Sequence, residues 1–223
     1  MKNSIVVIGG GESGVGAAFL ANKNGYDVFL SEFNTIQKKY KKILENNQIN
    51  YEEGGHTLAK FFNAKEVVKS PGISNNSEII IKIKSKNIPI ISEIEFAYRF
   101  TNSILIGVTG SNGKTTTCSL IYHILKNSGK SVGLAGNIGN SFSFLTAENN
   151  FEYVVLELSS FQLEDIINFH PFISIITNLT PDHLERYNYD FQNYVNSKFK
   201  IISNQTSSDY LIYNYDDDKI ISE

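Results

Sequence analysis

The residues best suited to chemistry lie in one short run between Thr109 and Thr116, with the sequence Thr-Gly-Ser-Asn-Gly-Lys-Thr-Thr. The apolar residues 104–108 before it predict a buried parallel strand, and a helical apolar pattern follows it. At such a joint, backbone N–H groups face an anion, while a lysine and a threonine hydroxyl suit phosphate and magnesium. We therefore predict a phosphate-binding loop. Its residues are Gly110, Ser111, Asn112, Gly113, Lys114, Thr115 and Thr116.

This loop departs from the G-x-x-x-x-G-K-[ST] pattern at the first position, where Val108 stands in place of glycine. The alternative interpretation is a turn whose glycines only relieve steric strain. A turn alone does not need Gly-Lys-Thr-Thr between a strand and a helix, so we favour the phosphate site.

A second glycine-rich turn follows the first predicted strand, residues 4–8. Gly9, Gly11 and Gly14 fit G-x-G-x-x-G, and Glu32 ends the next predicted strand, where a nucleotide-binding acid lies in Rossmann-type folds. The motif alone does not separate NAD or FAD from other nucleotides, because the fold hosts many ligands.

Three more predicted strands end in polar residues, at the edge where open α/β sheets bind ligands. Ser70 and Gly72 follow residues 66–69, Glu157 ends a buried strand, and His183 follows residues 173–178. Glu157 suits a magnesium ligand of the Walker-B type, although a capping or surface acid is the alternative. A structural role is the alternative for His183.

Lys198 lies on the apolar face of a helix predicted over residues 191–204, which is unusual for a lysine. Either the side chain extends along the apolar surface to solvent, or it is buried against an anion or metal site.

Alternating strands and helices predict an α/β protein. We expect a Rossmann-like domain over residues 1–92, followed by a P-loop-type ATP-binding α/β domain over residues 93–223, because a new helix–strand–phosphate-loop pattern begins at Glu93. The 223 residues have a net charge of −3, which does not favour non-specific nucleic-acid binding. One cysteine, no signal-peptide pattern and no membrane-spanning apolar run favour a cytoplasmic protein. We expect a monomer.

Four ordered motifs together resemble the Mur ligases, and within them the branch that adds D-glutamate. They are residues 109–115, Gly-Asn-Ile-Gly at 136–139, Leu-Glu-Leu-Ser-Ser-Phe-Gln-Leu at 156–163, and Asp-His-Leu-Glu-Arg-Tyr at 182–187. The resemblance implies an ATP-dependent ligase of peptidoglycan synthesis, which serves cell-wall biogenesis, cell shape and cell division. It implies that the carboxylate of UDP-N-acetylmuramoyl-L-alanine attacks ATP, and that D-glutamate then attacks the acyl phosphate.

The resemblance also implies roles for individual residues. The phosphate loop would bind ATP. The UDP-substrate residues would be Gly11, Glu12, Ser13, Gly14, Glu32 at the uracil edge, Ser70, Gly72, Asn137 and His183. The family often has aspartate where this chain has Glu32, which reaches further.

Two magnesium ions are implied, one held by Thr115 and Glu157 and the second by Glu157, His183 and Lys198. Lys198 would be carbamylated by CO2, and Lys114, His183 and Lys198 would be the catalytic residues.

Family members continue into a C-terminal domain that binds D-glutamate, for which this sequence supplies no residues after Glu223. We therefore expect a truncated central domain and incomplete turnover by this chain alone. One alternative is a non-catalytic remnant that binds a nucleotide or UDP-sugar. Another is an NAD-dependent oxidoreductase built on the Gly9–Gly14 turn, which leaves the Lys114 loop unexplained.

Overall fold

The computed structural model describes residues 4–223. The first three residues of the N-terminus, which has no signal-peptide pattern, lie outside the described residues. The chain divides into two compact units. The first extends through Phe100 and includes Ser141–Glu148, and the second comprises Thr101–Asn140 and Asn149–Glu223. No helix among residues 4–223 is long and apolar enough to cross a membrane.

Strands and helices alternate along the described residues. The strands are β1 Ser4–Ile8, β2 Asp27–Glu32, β3 Asn50–Glu53, β4 Glu66–Lys69, β5 Ile90–Ser92, β6 Ile104–Thr109, β7 Val132–Gly136, β8 Tyr153–Glu157, β9 Ile173–Ile176 and β10 Tyr210–Tyr213. The helices are α1 Glu12–Lys23, α2 Lys38–Asn46, α3 Leu58–Phe62, α4 Glu78–Lys84, α5 Glu93–Tyr98, α6 Lys114–Asn127, α7 Phe142–Glu148, α8 Ser160–Leu163, α9 Phe191–Phe199 and α10 Asp218–Ile221. Two short 3-10 helices are Leu184–Tyr187 and Lys200–Ile202.

The sheet of the first unit has the strand order β3-β2-β1-β4-β5, with every pair parallel. The chain adds β2 and β3 on one side of β1 and then β4 and β5 on the other side. The strand order therefore reverses between β1 and β4, which forms the crevice where this kind of sheet binds ligands. Val7 and Ile8 in β1 are fully buried, as expected for a central parallel strand. The expected Rossmann-like arrangement is confirmed.

The sheet of the second unit has the order β10-β9-β6-β8-β7 and is also parallel throughout. The central strand β6 is buried from Leu105 onward and leads through the phosphate loop into α6. This strand–loop–helix order agrees with the predicted P-loop-type domain.

The first unit extends beyond the expected boundary at residue 92. Helix α5 belongs to it, because Ile94 and Phe96 are buried in that unit's core. Helix α7 also belongs to it, although it lies between β7 and β8 in the sequence. Gly16 in α1 allows this close packing, since an added Cβ would lie 2.3 Å from Ser141 Oγ. These contacts join segments that are far apart in the sequence, so a boundary predicted from local sequence patterns does not reflect them.

Candidate functional site

The glycine-rich turn of the first unit lies at the crevice between β1 and β4. A Cβ on Gly14 would lie 1.8 Å from the carbonyl oxygen of Gly9, so only glycine lets α1 start this close to the end of β1. Ser70, directly after β4, donates its backbone N–H to Ile8 at 3.0 Å. Its Oγ is buried and has no hydrogen-bond partner among residues 4–223. An unsatisfied buried hydroxyl at a ligand crevice indicates a place for a polar ligand atom.

The two predicted acids of this unit both bind backbone N–H groups. Glu12 Oε1 accepts from the N–H of Ser141 at 2.9 Å, just before α7. Glu32 accepts from the N–H groups of Gly10 at 2.5 Å and Asn34 at 2.7 Å. Glu12 therefore binds the segment just before α7, and Glu32 links the glycine-rich turn to the residues that follow β2.

The remaining predicted residues of this unit lie at the same edge. Gly11 immediately precedes α1, and Ser13 lies in its first turn. Glu32 and Gly72 line a cleft of about 550 Å³. The rings of Phe33 and His56 line it too, although neither belongs to a motif recognised in the sequence. The position of Phe33 directly after Glu32 is the only signal that could have indicated it.

The phosphate loop of the second unit is fixed by contacts with the segment after β9. Gly110 has a φ of +139°, and an added Cβ would lie 2.0 Å from Thr177 Oγ1. The Ser111 N–H donates to the carbonyl of Asn178 at 2.8 Å, and the Asn112 N–H donates to its Oδ1 at 2.9 Å. Asn178 therefore holds two residues of the loop, a role the sequence analysis did not assign.

The lysine of this loop folds back over the loop carbonyls. Lys114 Nζ donates to the carbonyl oxygens of Gly110 at 2.8 Å and Ser111 at 2.7 Å. Gly113 precedes α6 with a φ of +83°, and Thr116 is exposed in the first turn of the helix. The helix N-terminus and an ammonium group thus meet at one loop, as an anion site requires.

Thr115, Asn137 and Glu157 form a direct hydrogen-bonded group. Thr115 Oγ1 donates to Glu157 Oε2 at 2.6 Å, and Asn137 Nδ2 donates to Oε1 at 2.9 Å. Glu157 is only 3% exposed. A hydroxyl and a carboxylate supply the hard oxygen ligands that magnesium prefers, so these residues fit a magnesium ion.

Lys198 is buried against the phosphate loop, 2% exposed. Its Nζ donates to the carbonyl of Gly110 at 2.7 Å and lies 4.6 Å from the centroid of the Tyr194 ring. Burial, and then repulsion by Lys114, lower the pKa of Lys198 to about 7, while Asp182 opposes the shift. Of the two alternatives for this lysine, the structure supports burial beside the anion site.

His183 lies apart from these hydrogen-bonded groups. Its side chain is half exposed, and its ring centroid lies 5.1 Å from that of Phe161. Its Nε2 lies 3.7 Å from a carboxylate oxygen of Asp182, and its Nδ1 lies 3.9 Å from one of Glu185. Within residues 4–223 no hydrogen bond joins His183 to Glu157 or Lys198, and no three His, Cys, Asp or Glu side chains form a metal-binding cluster.

Two family models match parts of this chain. Residues 108–223, just over half of the chain, match the family model described as the Mur ligase middle domain, and residues 4–79 match that of the MurD N-terminal domain. The chain is 53% identical over 220 residues to the UDP-N-acetylmuramoylalanine--D-glutamate ligase of Christiangramia forsetii, covering 99% of this chain and 49% of that protein. The ligase of the same name from Bacteroides fragilis is 54% identical, with coverage of 97% and 49%.

A solved structure shares the fold. The UDP-N-acetylmuramate:L-alanyl-gamma-D-glutamyl-meso-diaminopimelate ligase from Neisseria meningitides aligns with a TM-score of 0.68 and 20% identity, covering 100% of this chain and 74% of that one. The chain spans about half the length of the curated relatives it matches. On the middle-domain match, with the phosphate loop, Glu157 and the buried Lys198 all inside it, this chain belongs to the Mur ligase family.

Proposed function

We propose that this chain supplies the UDP-substrate site and the ATP-phosphate site of an ATP-dependent ligase that joins D-glutamate to UDP-N-acetylmuramoyl-L-alanine in peptidoglycan synthesis. The observation that supports it most is the phosphate loop bonded to two buried groups. Thr115 donates to Glu157, and Lys198 donates to Gly110. The names of the relatives give the proposal its substrates.

The reaction needs activation because a carboxylate is a poor electrophile. In the proposed sequence, the alanyl carboxylate attacks the γ-phosphorus of ATP and ADP leaves. The D-glutamate amine then attacks the acyl carbon and forms the C–N bond. The carbonyl re-forms as phosphate leaves with the electron pair of the broken C–O bond, and the nitrogen releases a proton to solvent. Lys114 and the N-terminus of α6 would hold the phosphates in position while charge moves between oxygens.

We assign the first magnesium ion to Thr115 and Glu157. A second ion on Glu157, His183 and Lys198 would need His183 to approach the other two, because its ring lies apart from them in the structure. When bound, the ions would neutralise phosphate charge. Asn137, which donates to Glu157, would fix the orientation of that carboxylate and lie near the muramoyl part of the substrate, together with His183.

We further propose that Lys198 is carbamylated. A pKa of about 7 leaves a large share of neutral amine at neutral pH. The nitrogen attacks the carbon of CO2, an N–C bond forms, and a proton passes to solvent. The resulting carbamate would be an anionic oxygen ligand next to the phosphate loop.

In the first unit, we assign the UDP end of the substrate to the crevice between β1 and β4. The unsatisfied Ser70 Oγ and the start of α1, residues 11–14, support a diphosphate there. The cleft lined by Glu32 and Gly72 supports the uridine. We propose a monomer that works in the cytoplasm.

Calorimetric titration with UDP and with ATP tests the proposal. We expect both nucleotides to bind. Lys114→Met should lower the affinity for ATP about tenfold or more, because the lysine would be a charged phosphate contact, and should leave the affinity for UDP unchanged. Lys126→Met, an exposed lysine at the far end of α6, is the matched control. Failure of the wild-type chain to bind either nucleotide would refute the proposal.

The second candidate function is a nucleotide-binding module without turnover, which the position of His183 apart from Glu157 and Lys198 favours. ADP formation from ATP in the presence of UDP-N-acetylmuramoyl-L-alanine, without D-glutamate, separates the two, because this step uses only the two sites proposed for this chain. ADP that forms only when both substrates are present supports the ligase sites, and binding of both without ADP formation supports the module.

A further inference from the structure

Two rings line the cleft of the first unit next to Glu32. Phe33 is 65% exposed, and its centroid lies 5.9 Å from that of His56. His56 in turn packs edge-on against the buried ring of Phe61 at 5.8 Å. A planar ligand could therefore stack on an exposed ring whose neighbour is held in place.

A chain of hydrogen bonds determines which nitrogen of His56 carries the proton. Ser31 Oγ lies 2.7 Å from Glu52 Oε1 and 2.7 Å from His56 Nδ1. A carboxylate only accepts, so the Ser31 hydroxyl donates to Glu52 and its oxygen accepts from Nδ1–H. Burial lowers the pKa of His56, although Glu52 and Glu32 oppose the shift, and this favours the neutral ring. Its Nε2 then bears a lone pair.

This Nε2 is an acceptor that the fold leaves unused. Within residues 4–223 the only hydrogen bond of His56 is the one to Ser31. The carboxylate of Glu32, by contrast, already accepts one backbone N–H on each oxygen. The cleft thus contains a ring acceptor without a partner beside an exposed aromatic face.

Uracil matches this pair, because its N3 carries a hydrogen and its ring has a π face. Cytosine has an unprotonated N3, which would oppose the lone pair of Nε2. We propose that His56 selects uracil by accepting a hydrogen bond from N3–H at Nε2, while Phe33 stacks on the ring. This inference rests on the proposed function, which brings a uridine diphosphate to this cleft.

Calorimetric titration with UDP and CDP tests the selection. We expect the wild-type chain to bind UDP about tenfold or more tightly than CDP, because an unmatched buried polar group is costly. His56→Asn keeps an amide N–H for Ser31 but removes Nε2, so we expect the UDP-to-CDP ratio to fall to about one.

Phe33→Leu separates stacking from selection. Loss of the aromatic face should lower the affinities for UDP and CDP alike by about tenfold, so the ratio of the two affinities should not change. Phe62→Leu, a partly exposed ring in α3 that is not among the cleft-lining residues, is the matched control and should change neither affinity.

A ligand-side measurement keeps the test valid if His56→Asn does not fold. UDP methylated at N3 cannot donate and should bind the wild-type chain about as weakly as CDP. Equal binding of UDP and its N3-methyl derivative, or a folded His56→Asn protein that retains the preference, would overturn the role of His56. A wild-type chain that binds no UDP would instead refute the proposed function.

Discussion

The carbonyl oxygen of Gly110 accepts hydrogen bonds from two lysines, Lys114 at 2.8 Å and Lys198 at 2.7 Å. Lys114 is the less buried of the two lysines. Lys198 is buried, and after burial itself the nearby positive charge is the main reason for its lowered pKa. One carbonyl therefore brings together the lysine of the loop and a buried lysine whose pKa is lowered to about 7.

This arrangement predicts a pH-dependent modification. The folded-state pKa of Lys198, about 7 rather than 10.5, makes the amine neutral above that pH, so carbamate should increase between pH 6 and pH 8. NMR of the chain in ¹³C-labelled bicarbonate would measure the carbamate signal. Lys198→Ala should abolish it, and Lys200→Ala, an exposed neighbour, should not. A signal that persists in Lys198→Ala would contradict the assignment.

A second prediction at the residue scale concerns Glu157. Glu157→Gln keeps an oxygen for the Thr115 hydroxyl but removes the charge, so ATP affinity in magnesium should fall about 10- to 100-fold. ATP affinity without magnesium should stay the same or rise, because the variant lacks a carboxylate that repels phosphate. Glu152→Gln, an exposed acid paired with Lys130, is the control. Equal losses with and without magnesium would argue against a metal ligand.

The elements explain why these groups meet. β6 and β8 are adjacent parallel strands in register, with Val108 opposite Glu157, so the phosphate loop and the acid leave the sheet at the same edge. β9 lies on the other side of β6 and delivers Thr177 and Asn178 to the loop. The loop is therefore held by the strands on both sides of its own strand.

Substitution of Gly110 tests how the segment after β9 holds the phosphate loop. Gly110→Ala would place Cβ 2.0 Å from Thr177 Oγ1 at a φ of +139°, so we expect a loss of about 1–3 kcal/mol in unfolding free energy and loss of ATP binding. Gly129→Ala has a similar backbone cost at +78° but no atom within 4 Å of its Cβ. It should lose stability while still binding ATP. Urea unfolding and ATP titration measure both effects, and normal ATP binding by Gly110→Ala would count against the predicted loop geometry.

At the scale of the whole molecule, the first unit depends on a helix from much later in the chain. The start of α7 is bound by two carboxylates, with Ser141 donating to Glu12 and Ser143 donating to Glu93 at 2.5 Å. Burial raises the pKa of Glu93 to about 7, although its bond to Ser143 opposes the shift. The folded chain therefore binds a proton there that the unfolded chain has released.

This proton links stability to pH. Because the folded-state pKa is raised above its ordinary 4.5, the wild-type chain should lose stability as the pH rises from about 4.5 through 7. Glu93→Gln stays neutral and should be more stable than wild type at pH 8 by on the order of 1–3 kcal/mol, with a smaller difference at pH 5. Urea unfolding at the two pH values measures this. Glu148→Gln, at an exposed position at the end of α7, should show no such change. A pH-independent difference for Glu93→Gln would contradict the prediction.

Most of the strands could be predicted because parallel strands are buried on both faces and leave apolar runs in the sequence. β1 and β4 have the predicted bounds, and β8 ends at Glu157 as predicted. β6 extends one residue beyond its predicted end, and β9 ends at Ile176, two residues before its predicted end. β3 was missed because Asn-Tyr-Glu-Glu has no apolar run, and only its pairing with β2 makes it a strand. The helix predicted over residues 191–204 ends at Phe199 and continues as a 3-10 turn.

The sequence by itself determined the phosphate loop and the inward position of Lys198, because both depend on spacing within a few residues. The strand, the turn and the helix start are local, and so is the face of α9. Only the tertiary structure decided that Lys198 contacts Gly110, 88 residues earlier, that Glu12 binds Ser141, 129 residues later, and that Phe33 and His56 share a cleft. Such contacts follow from strand order and register, which arise when separate segments pack and leave no local pattern in the sequence.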